Sequence, residues 1–119
     1  MRHGLKFNAK LGRQADHRGL LIRNLTTSLI LNQKVQTTRA KAKLVRVFFE
    51  ELVTSVSAQQ QSREAIRILR AKLLSETTQK KFLTELVPKY SERKGGLTRM
   101  TNLKFRKGDA APLVLLELV

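Results

Sequence analysis

The sequence predicts an α+β domain in which one helix, a short strand and three further helices precede a β-hairpin. Apolar residues recur at helical spacing in four segments between residues 16 and 88. From residue 97 onward the pattern changes to a period of two, which is typical of strands. A chain of 119 residues has the length of one domain and can bury a core of modest thickness. We therefore expect a single domain over residues 16–119, preceded by an N-terminal arm.

Residues 1–15 form the predicted arm because they show no sustained periodicity and contain too few large apolar groups to fold alone. Four cations are spaced along it among glycines and small or polar residues: Arg2, Lys6, Lys10 and Arg13. We expect the arm to be extended. Such an arm can lie in an RNA groove, where each neutralised phosphate releases counterions and the arm becomes ordered on binding.

The first predicted helix begins at Asp16, which is placed to cap it, and extends to about Asn32. Its apolar side consists of Leu21, Ile22, Leu25 and Leu29. The β-branched segment 34–38 then predicts a short strand, and Thr38 is placed to cap the next helix.

The second predicted helix extends from about Arg39 to Ser57 and carries a continuous apolar stripe, which we expect to form core. The stripe consists of Val45, Phe48, Phe49, Leu52, Val53 and Val56. Lys41, Lys43 and Arg46 occupy the early turns, where positive charge is unfavourable to the helix dipole. Either an external anion compensates this charge, or the cations are simply exposed to solvent.

The third and fourth helices are shorter. Ile66, Leu69 and Leu73 mark the third, on which Arg63, Arg67 and Arg70 form a basic ridge that fits either phosphate binding or a solvated face. The fourth follows Thr77 or Thr78 and ends at Pro88, since proline interrupts helical hydrogen bonding. Its predicted buried residues are Phe82, Leu83, Leu86 and Val87.

The C-terminal hairpin is predicted to pair residues 97–105 with residues 113–119 through a turn at residues 107–109. Gly95 and Gly96 allow the backbone to turn sharply before the first of these strands. The last strand is apolar on both faces apart from Glu117, so it belongs inside the sheet or against the helices.

Charge gives the clearest indication of function. The net charge is +15, and residues 1–46 carry eleven Lys and Arg against one acid, while residues 89–107 carry a further net +6. Two basic zones around a nearly neutral middle predict a polyanionic partner, with nucleic-acid phosphate as the first candidate. Phe7 and Tyr90 remain for stacking on bases, so contacts to phosphate, sugar and RNA shape are expected to dominate.

The sequence gives little support to other functional classes, such as enzymes, metal-binding proteins and membrane proteins. The chain has no cysteine, its apolar runs are far shorter than a membrane span, and no catalytic or phosphate-loop motif is present. His3 and His17 are the only histidines, and no nucleophile accompanies them. We therefore predict no enzymatic activity, no cofactor, no metal site, no small-molecule substrate and no membrane association. A basic, acid-poor start also fits a mitochondrial transit peptide.

Several short motifs, in this order, resemble the bacterial large-subunit ribosomal protein seventeen family over nearly the whole chain. They are Met1-Arg2-His3, His17-Arg18, Arg23-Asn24, Thr37-Thr38-x-x-Lys41-Ala42-Lys43, Gly95-Gly96-Leu97-Thr98-Arg99, Arg106-x-Gly108-Asp109-x-Ala111-Pro112 and Glu117-Leu118-Val119. Three positions depart from the usual family pattern. The family usually has Leu-Asn-Arg and two small hydroxyl residues before the His-Arg pair, where this chain has residues 11–16, which end in the acid Asp16. Leu44 replaces a glutamate, and Leu97 replaces a tyrosine.

The resemblance implies a two-layer fold of order α-β-α3-β2 with a small mixed sheet. It implies a structural constituent of the large ribosomal subunit in the cytoplasm, bound to ribosomal RNA near the exit of the nascent-chain tunnel, with neighbouring ribosomal proteins as further partners. A role in translation and subunit assembly follows. It also implies that the basic arm belongs to the mature protein.

By position, the resemblance and the basic arm together give twelve candidate RNA contacts. They are Arg2, His3, Lys6, Lys10, Arg13, His17, Arg18, Arg23, Lys41 and Lys43, followed by Arg99 and Arg106. Two alternatives from other classes are a nucleoid-type DNA-binding protein and a small basic RNA-processing factor.

Overall fold

The computed structural model describes residues 15–58, 63–93 and 95–119. The helices are α1 (Ala15–Asn32), α2 (Arg39–Ala58), α3 (Arg63–Lys72), α4 (Glu76–Lys81) and α5 (Val87–Tyr90), with a π-helical turn (Phe82–Leu86) between the last two. The strands are β1 (Lys34–Thr38), β2 (Thr98–Phe105) and β3 (Pro112–Leu118). This order confirms the predicted α+β class. Residues 1–14 lie outside the described residues, so the extended arm stays a prediction.

The start of α1 differs from the predicted cap. The described part of the helix begins at Ala15, and Asp16 lies inside the first turn, where its carboxylate accepts a hydrogen bond from the His17 backbone N–H at 2.9 Å. A negative charge in the first turn still interacts favourably with the helix dipole. The side that packs inward is also rotated from the predicted one, because Thr26, Leu29 and Ile30 are buried whereas Leu21 and Ile22 are only half-buried.

The three strands form an antiparallel sheet in the order β1-β3-β2. The expectation of a mixed sheet is therefore wrong. β1 and β2 are parallel to each other, but β3 lies between them, so each pairs only with a strand of opposite direction. The apolar composition of β3 is explained by this central position, as predicted.

Helices cover one side of the sheet, and the core lies between the two layers. Val114 and Leu116 of β3 face this core and are fully buried. The α2 stripe is confirmed except at Phe48, which is only half-buried, and Ala42 joins it at the start of the helix. Phe49 lies at the centre, because the Phe82 ring meets its ring edge-on at a centroid distance of 6.1 Å.

The fourth helix does not end at Pro88. It continues as α4, the π turn and α5 without a break as far as Tyr90. The backbone N–H of Val87 donates to the Phe82 carbonyl five residues earlier, which widens the helix just before the proline. Pro88 follows directly after this wider turn, which accommodates a residue that has no N–H to donate within the helix. The extra turn places Tyr90 in the core.

The sheet has two distinct ends. At the terminal end β2 begins and β3 finishes, and at the hairpin end the loop after Phe105 joins β2 to β3. At the terminal end, the Val119 N–H donates to the Leu97 carbonyl at 2.9 Å, and the Tyr90 hydroxyl donates to the Val119 carbonyl at 3.0 Å. Gly95 and Gly96 make the turn into this end with φ of 127° and 61°, values that glycine adopts without strain. At the opposite, hairpin end, all of residues 101–110 are exposed.

Candidate nucleic-acid interface

The predicted contacts on α1 differ in exposure. His17 is exposed, whereas Arg18 and Arg23 are half-buried. Arg18 lies on the same side of the helix as Leu25 and Leu29, at offsets of seven and eleven residues. Its stem therefore lies along the edge of the packed side.

The early turns of α2 carry a row of exposed cations. Arg39, Lys43 and Arg46 are all exposed and follow the i, i+4, i+7 spacing of one helix face. Lys41, a predicted contact, is half-buried. The first turn of α2 contains no acid. The positive charge of this row therefore has no carboxylate beside it at the positive end of the helix dipole. Arg39 was not among the predicted contacts, although its spacing from Lys43 is the signal that could have identified it.

The open face of the sheet, on the side away from the helices, carries a second group of cations. Lys34 and Arg99 both lie opposite Glu117 of β3, one on each side of it. Neighbouring strands are about 4.8 Å apart, so the two cations flank the carboxylate across the sheet. Arg99, which was predicted as a contact, is exposed, and so is Lys34, which was not.

A β-bulge in β2 adds Lys104 to this face. The register moves from Asn102 opposite Val114 to Lys104 opposite Leu113, which leaves Leu103 as the extra residue. Residues opposite each other in an antiparallel pair share a face, so Lys104 lies with Leu113 on the open face rather than with Val114 on the core side. Strict alternation would have placed Lys104 on the core side.

The hairpin loop is held by Arg106 and Asp109. The Arg106 guanidinium donates to both carboxylate oxygens of Asp109, through Nε at 3.1 Å and through Nη2, and the Ala111 N–H donates to the same carboxylate at 3.2 Å. These bonds lower the pKa of the Asp109 carboxyl to about 2 and raise the pKa of Arg106 above its ordinary value. Arg106, a predicted contact, therefore also fixes the loop.

The aromatic residues are placed differently from the prediction. Tyr90 is only 2% exposed, and its ring meets Phe49 edge-on at 6.3 Å, so it is not available to stack on a base. Burial raises the pKa of its hydroxyl, while the nearby Arg93 charge opposes the shift. Phe105, which the sequence analysis did not single out, is 70% exposed at the hairpin end. Phe7 lies outside the described residues.

The basic ridge of α3 has the features of a solvated face. Arg63, Arg67 and Arg70 are exposed, and Arg67 forms an ion pair with Glu64 at 3.2 Å. An exposed pair of this kind contributes little to stability. The remaining candidates, Arg2, His3, Lys6, Lys10 and Arg13, lie outside the described residues and stay predictions.

Within residues 15–58, 63–93 and 95–119, no group of three or more His, Cys, Asp or Glu side chains is placed to hold a metal ion. None of the helices in the same segments is both long and apolar enough to cross a membrane. Over these segments the site thus consists of exposed cations, the exposed ring of Phe105 and a hydrogen-bonded loop.

Comparison with known proteins gives the family. The profile of ribosomal protein L17 matches residues 21–119. The chain belongs to the ribosomal protein L17 family. Among its relatives, the large ribosomal subunit protein bL17 of Wolinella succinogenes is 44% identical over 119 residues, which cover both chains completely. The protein of the same name from Desulfitobacterium hafniense is 44% identical over 92% of this chain and 96% of its own length.

A third relative, bL17 of Campylobacter concisus, is 40% identical over 99% of this chain and 96% of its own length. Members of the L17 family are structural, non-enzymatic constituents of the bacterial large ribosomal subunit. This confirms the predicted family, the ribosomal location and the prediction that the chain is not an enzyme. The individual contact residues are not tested by family membership and stay predictions.

Proposed function

We propose that this L17 protein binds the RNA of the large ribosomal subunit through phosphate and shape contacts, and that it does so near the exit of the nascent-chain tunnel. Neighbouring ribosomal proteins are its further partners. By holding folded RNA it contributes to subunit assembly and so to translation. The tunnel-exit position is supported by the family resemblance alone, whereas the RNA contacts are also supported by the placement of charge.

The observation that carries the proposal is the separation of cations from the core. Arg39, Lys43 and Arg46 lie on an exposed side of α2, while the stripe of the same helix is buried. Glu50 and Glu51 follow only later along the helix, so its first two turns present positive charge alone. A phosphate backbone would supply the missing counter-charge at the end of the helix where the dipole also favours an anion.

The open face of the sheet supports a second contact with the same partner. Lys34, Arg99 and Lys104 outnumber the single acid on this face, Glu117. The helices that the structure describes lie on the other side of the sheet. The side chains of the open face are polar or half-buried, so a large ligand can approach them. Two basic surfaces on different elements favour a folded RNA, which offers phosphates in several directions, over a single extended strand.

Affinity measurements at fixed salt test this proposal. The full chain is expected to bind a transcript of large-subunit ribosomal RNA more tightly than duplex DNA of the same length. Equal or tighter binding to duplex DNA would favour the nucleoid-type alternative and contradict the proposal. Cross-linking in assembled ribosomes from Arg67, on the solvated face of α3, to a stalled nascent chain would test the tunnel-exit position separately.

Deletion of residues 2–13 tests the predicted contribution of the arm. Because four cations are removed, the affinity for ribosomal RNA is expected to fall and the salt dependence, log K against log[salt], to become shallower by about 3. The helical circular dichroism signal is expected to persist. A full-length variant with Gln in place of Arg2, Lys6, Lys10 and Arg13 controls for the loss of length. An unchanged salt slope in both variants would show that the arm does not bind phosphate.

A further inference from the structure

We propose that one strand of ribosomal RNA lies in a cleft between the flank of α2 and the helix side of β2. The phosphates of this strand contact the row of cations on α2, and its sugars and bases cover the outer half of β2. The inference rests on the RNA binding proposed above. It adds to the α2 row a side of β2 on which no contact was predicted.

The row of cations on α2 points along the sheet toward β2. Glu50 continues this row, since it lies four residues after Arg46. Both border the buried stripe, because Val53 lies three residues after Glu50 and seven after Arg46. At Glu50 this flank meets β2, where the Thr98 hydroxyl donates to the Glu50 carboxylate at 3.5 Å. Leu97, just before β2, lines one groove together with Glu50 and Val53.

α2 and β2 extend in opposite directions along the sheet, so the cationic half of α2 lies beside the outer half of β2. α2 begins directly after Thr38, which pairs with β3 near the hairpin end. β2 begins at Thr98, beside Glu50, and reaches the hairpin end at Phe105. From Arg39 to Glu50 the helix rises about 16 Å, and β2 rises about 20 Å. The two walls of the cleft therefore have similar lengths.

The helix side of β2 becomes more exposed toward the hairpin end. Four residues lie on this side because they pair with the core-side residues of β3: Thr98, Met100, Asn102 and Phe105. Thr98 and Met100 are half-buried, whereas Asn102 and Phe105 are exposed. α2 packs over β3, and no helix in the described segments covers the outer half of β2. The cleft is thus closed at Glu50 and open at Phe105.

The groups that line the cleft fit a strand of RNA. The α2 wall carries three cations, and its acid, Glu50, lies at the closed end. Phosphates spaced along one strand neutralise such a row and release counterions. The Asn102 amide can both donate and accept, which suits a 2′-hydroxyl or the edge of a base. Met100 and Phe105 offer apolar surface to sugars and to the faces of bases.

Photocrosslinking to a transcript of large-subunit ribosomal RNA locates the strand. The chain has no cysteine, so Asn102→Cys in the full chain creates a single site for a benzophenone label. Thr101→Cys is the matched control, because Thr101 is the preceding residue but pairs with Leu115 on the open face. The Asn102 label is expected to crosslink to one short stretch of the transcript, and the Thr101 label to a different stretch or to none. Crosslinks from both labels to the same stretch would contradict the cleft.

Removal of the α2 cations tests whether the two walls hold the same strand. Lys43→Gln/Arg46→Gln is expected to make the salt slope shallower by about 2. At saturating RNA the same pair should remove most of the Asn102 crosslink and leave any Thr101 crosslink unchanged. Arg67→Gln/Arg70→Gln on α3 is the charge-matched control and should change neither the slope nor the crosslinks. An Asn102 crosslink that survives the loss of Lys43 and Arg46 would overturn the inference.

The remaining outcomes separate this inference from RNA binding in general. If the wild type binds the transcript but the Asn102 label crosslinks to no RNA, the cleft is empty and only the inference is wrong. If that label crosslinks to a ribosomal protein in assembled large subunits, the cleft holds a protein segment, and the inference is again wrong while RNA binding stands. Failure of the wild type to bind the transcript would overturn both proposals.

Discussion

The two ends of the sheet each carry an aromatic residue, and the two residues have opposite surroundings. At the terminal end, Tyr90 is 2% exposed, packs on Phe49 and donates to the last carbonyl of the chain. At the hairpin end, Phe105 is 70% exposed among lysine and arginine side chains. Tyr90 therefore stabilises the fold, whereas Phe105 is an exposed apolar side chain of the kind found at binding surfaces.

This contrast separates stability from binding within a three-stranded sheet. The terminal end closes the core with hydrogen bonds between Leu97, Tyr90 and Val119. The hairpin end contributes no fully buried side chain over residues 101–110. Substitutions at the terminal end should therefore alter the free energy of unfolding, and those at the hairpin end should alter RNA affinity.

The largest expected effect on stability comes from Tyr90→Ala. Removal of a large buried aromatic side chain typically costs about 3–5 kcal/mol of unfolding free energy, because a cavity remains. Urea denaturation followed by circular dichroism measures this loss. Phe105→Ala is the matched control, for which we expect a change within about 0.5 kcal/mol, since an exposed side chain is removed. Equal losses in the two variants would contradict the contrast between the ends.

Tyr90→Phe isolates the hydrogen bond from the packing. The ring stays in place, so only the bond to the Val119 carbonyl is lost, at a cost of about 1 kcal/mol. The same denaturation experiment measures it. A variant as unstable as Tyr90→Ala would show that the hydroxyl, rather than the ring, holds the terminal end together.

A smaller and local effect is expected at low pH in the hairpin loop. The pKa of Asp109 is about 2 in the folded chain against an ordinary value of 3.8, so the folded loop favours the charged carboxylate. Its contribution is present above the ordinary value and is lost as the pH falls from about 4 to about 2. The Ala111 amide signal in NMR spectra should shift over this range. In Asp109→Asn the low-pH shift should disappear, and its persistence would assign the transition to another group.

Much of the fold is predictable from the sequence because its apolar pattern is strong. The β-branched residues at 34–38 predict the strand, and the helical spacing of apolar residues predicts the second helix. The passage of the last helix through Pro88 is not predictable in this way, since proline normally ends a helix. It depends on a π turn and on the burial of Leu86 and Tyr90, which are tertiary effects.

The candidate site was predicted less completely than the fold. The family resemblance gave Arg99 and Lys43 as contacts, and both side chains are exposed. It did not identify Lys104, because the bulge at Leu103 shifts the strand pattern by one residue and only the register reveals it. The composition also left Tyr90 available for stacking on bases, because composition does not show which aromatic residue is buried.

The central claim is that the hairpin end binds ribosomal RNA whereas the arginine ridge of α3 is an ordinary solvated face. Salt-dependent binding to a large-subunit ribosomal RNA transcript tests it most directly, with Lys104→Ala/Lys107→Ala compared against Arg63→Ala/Arg67→Ala. We predict that the lysine pair lowers affinity and makes the salt slope shallower by about 2, since each phosphate contact contributes about 1. The arginine pair should leave the slope unchanged. A slope altered only by the arginine pair, or by neither pair, would contradict the account.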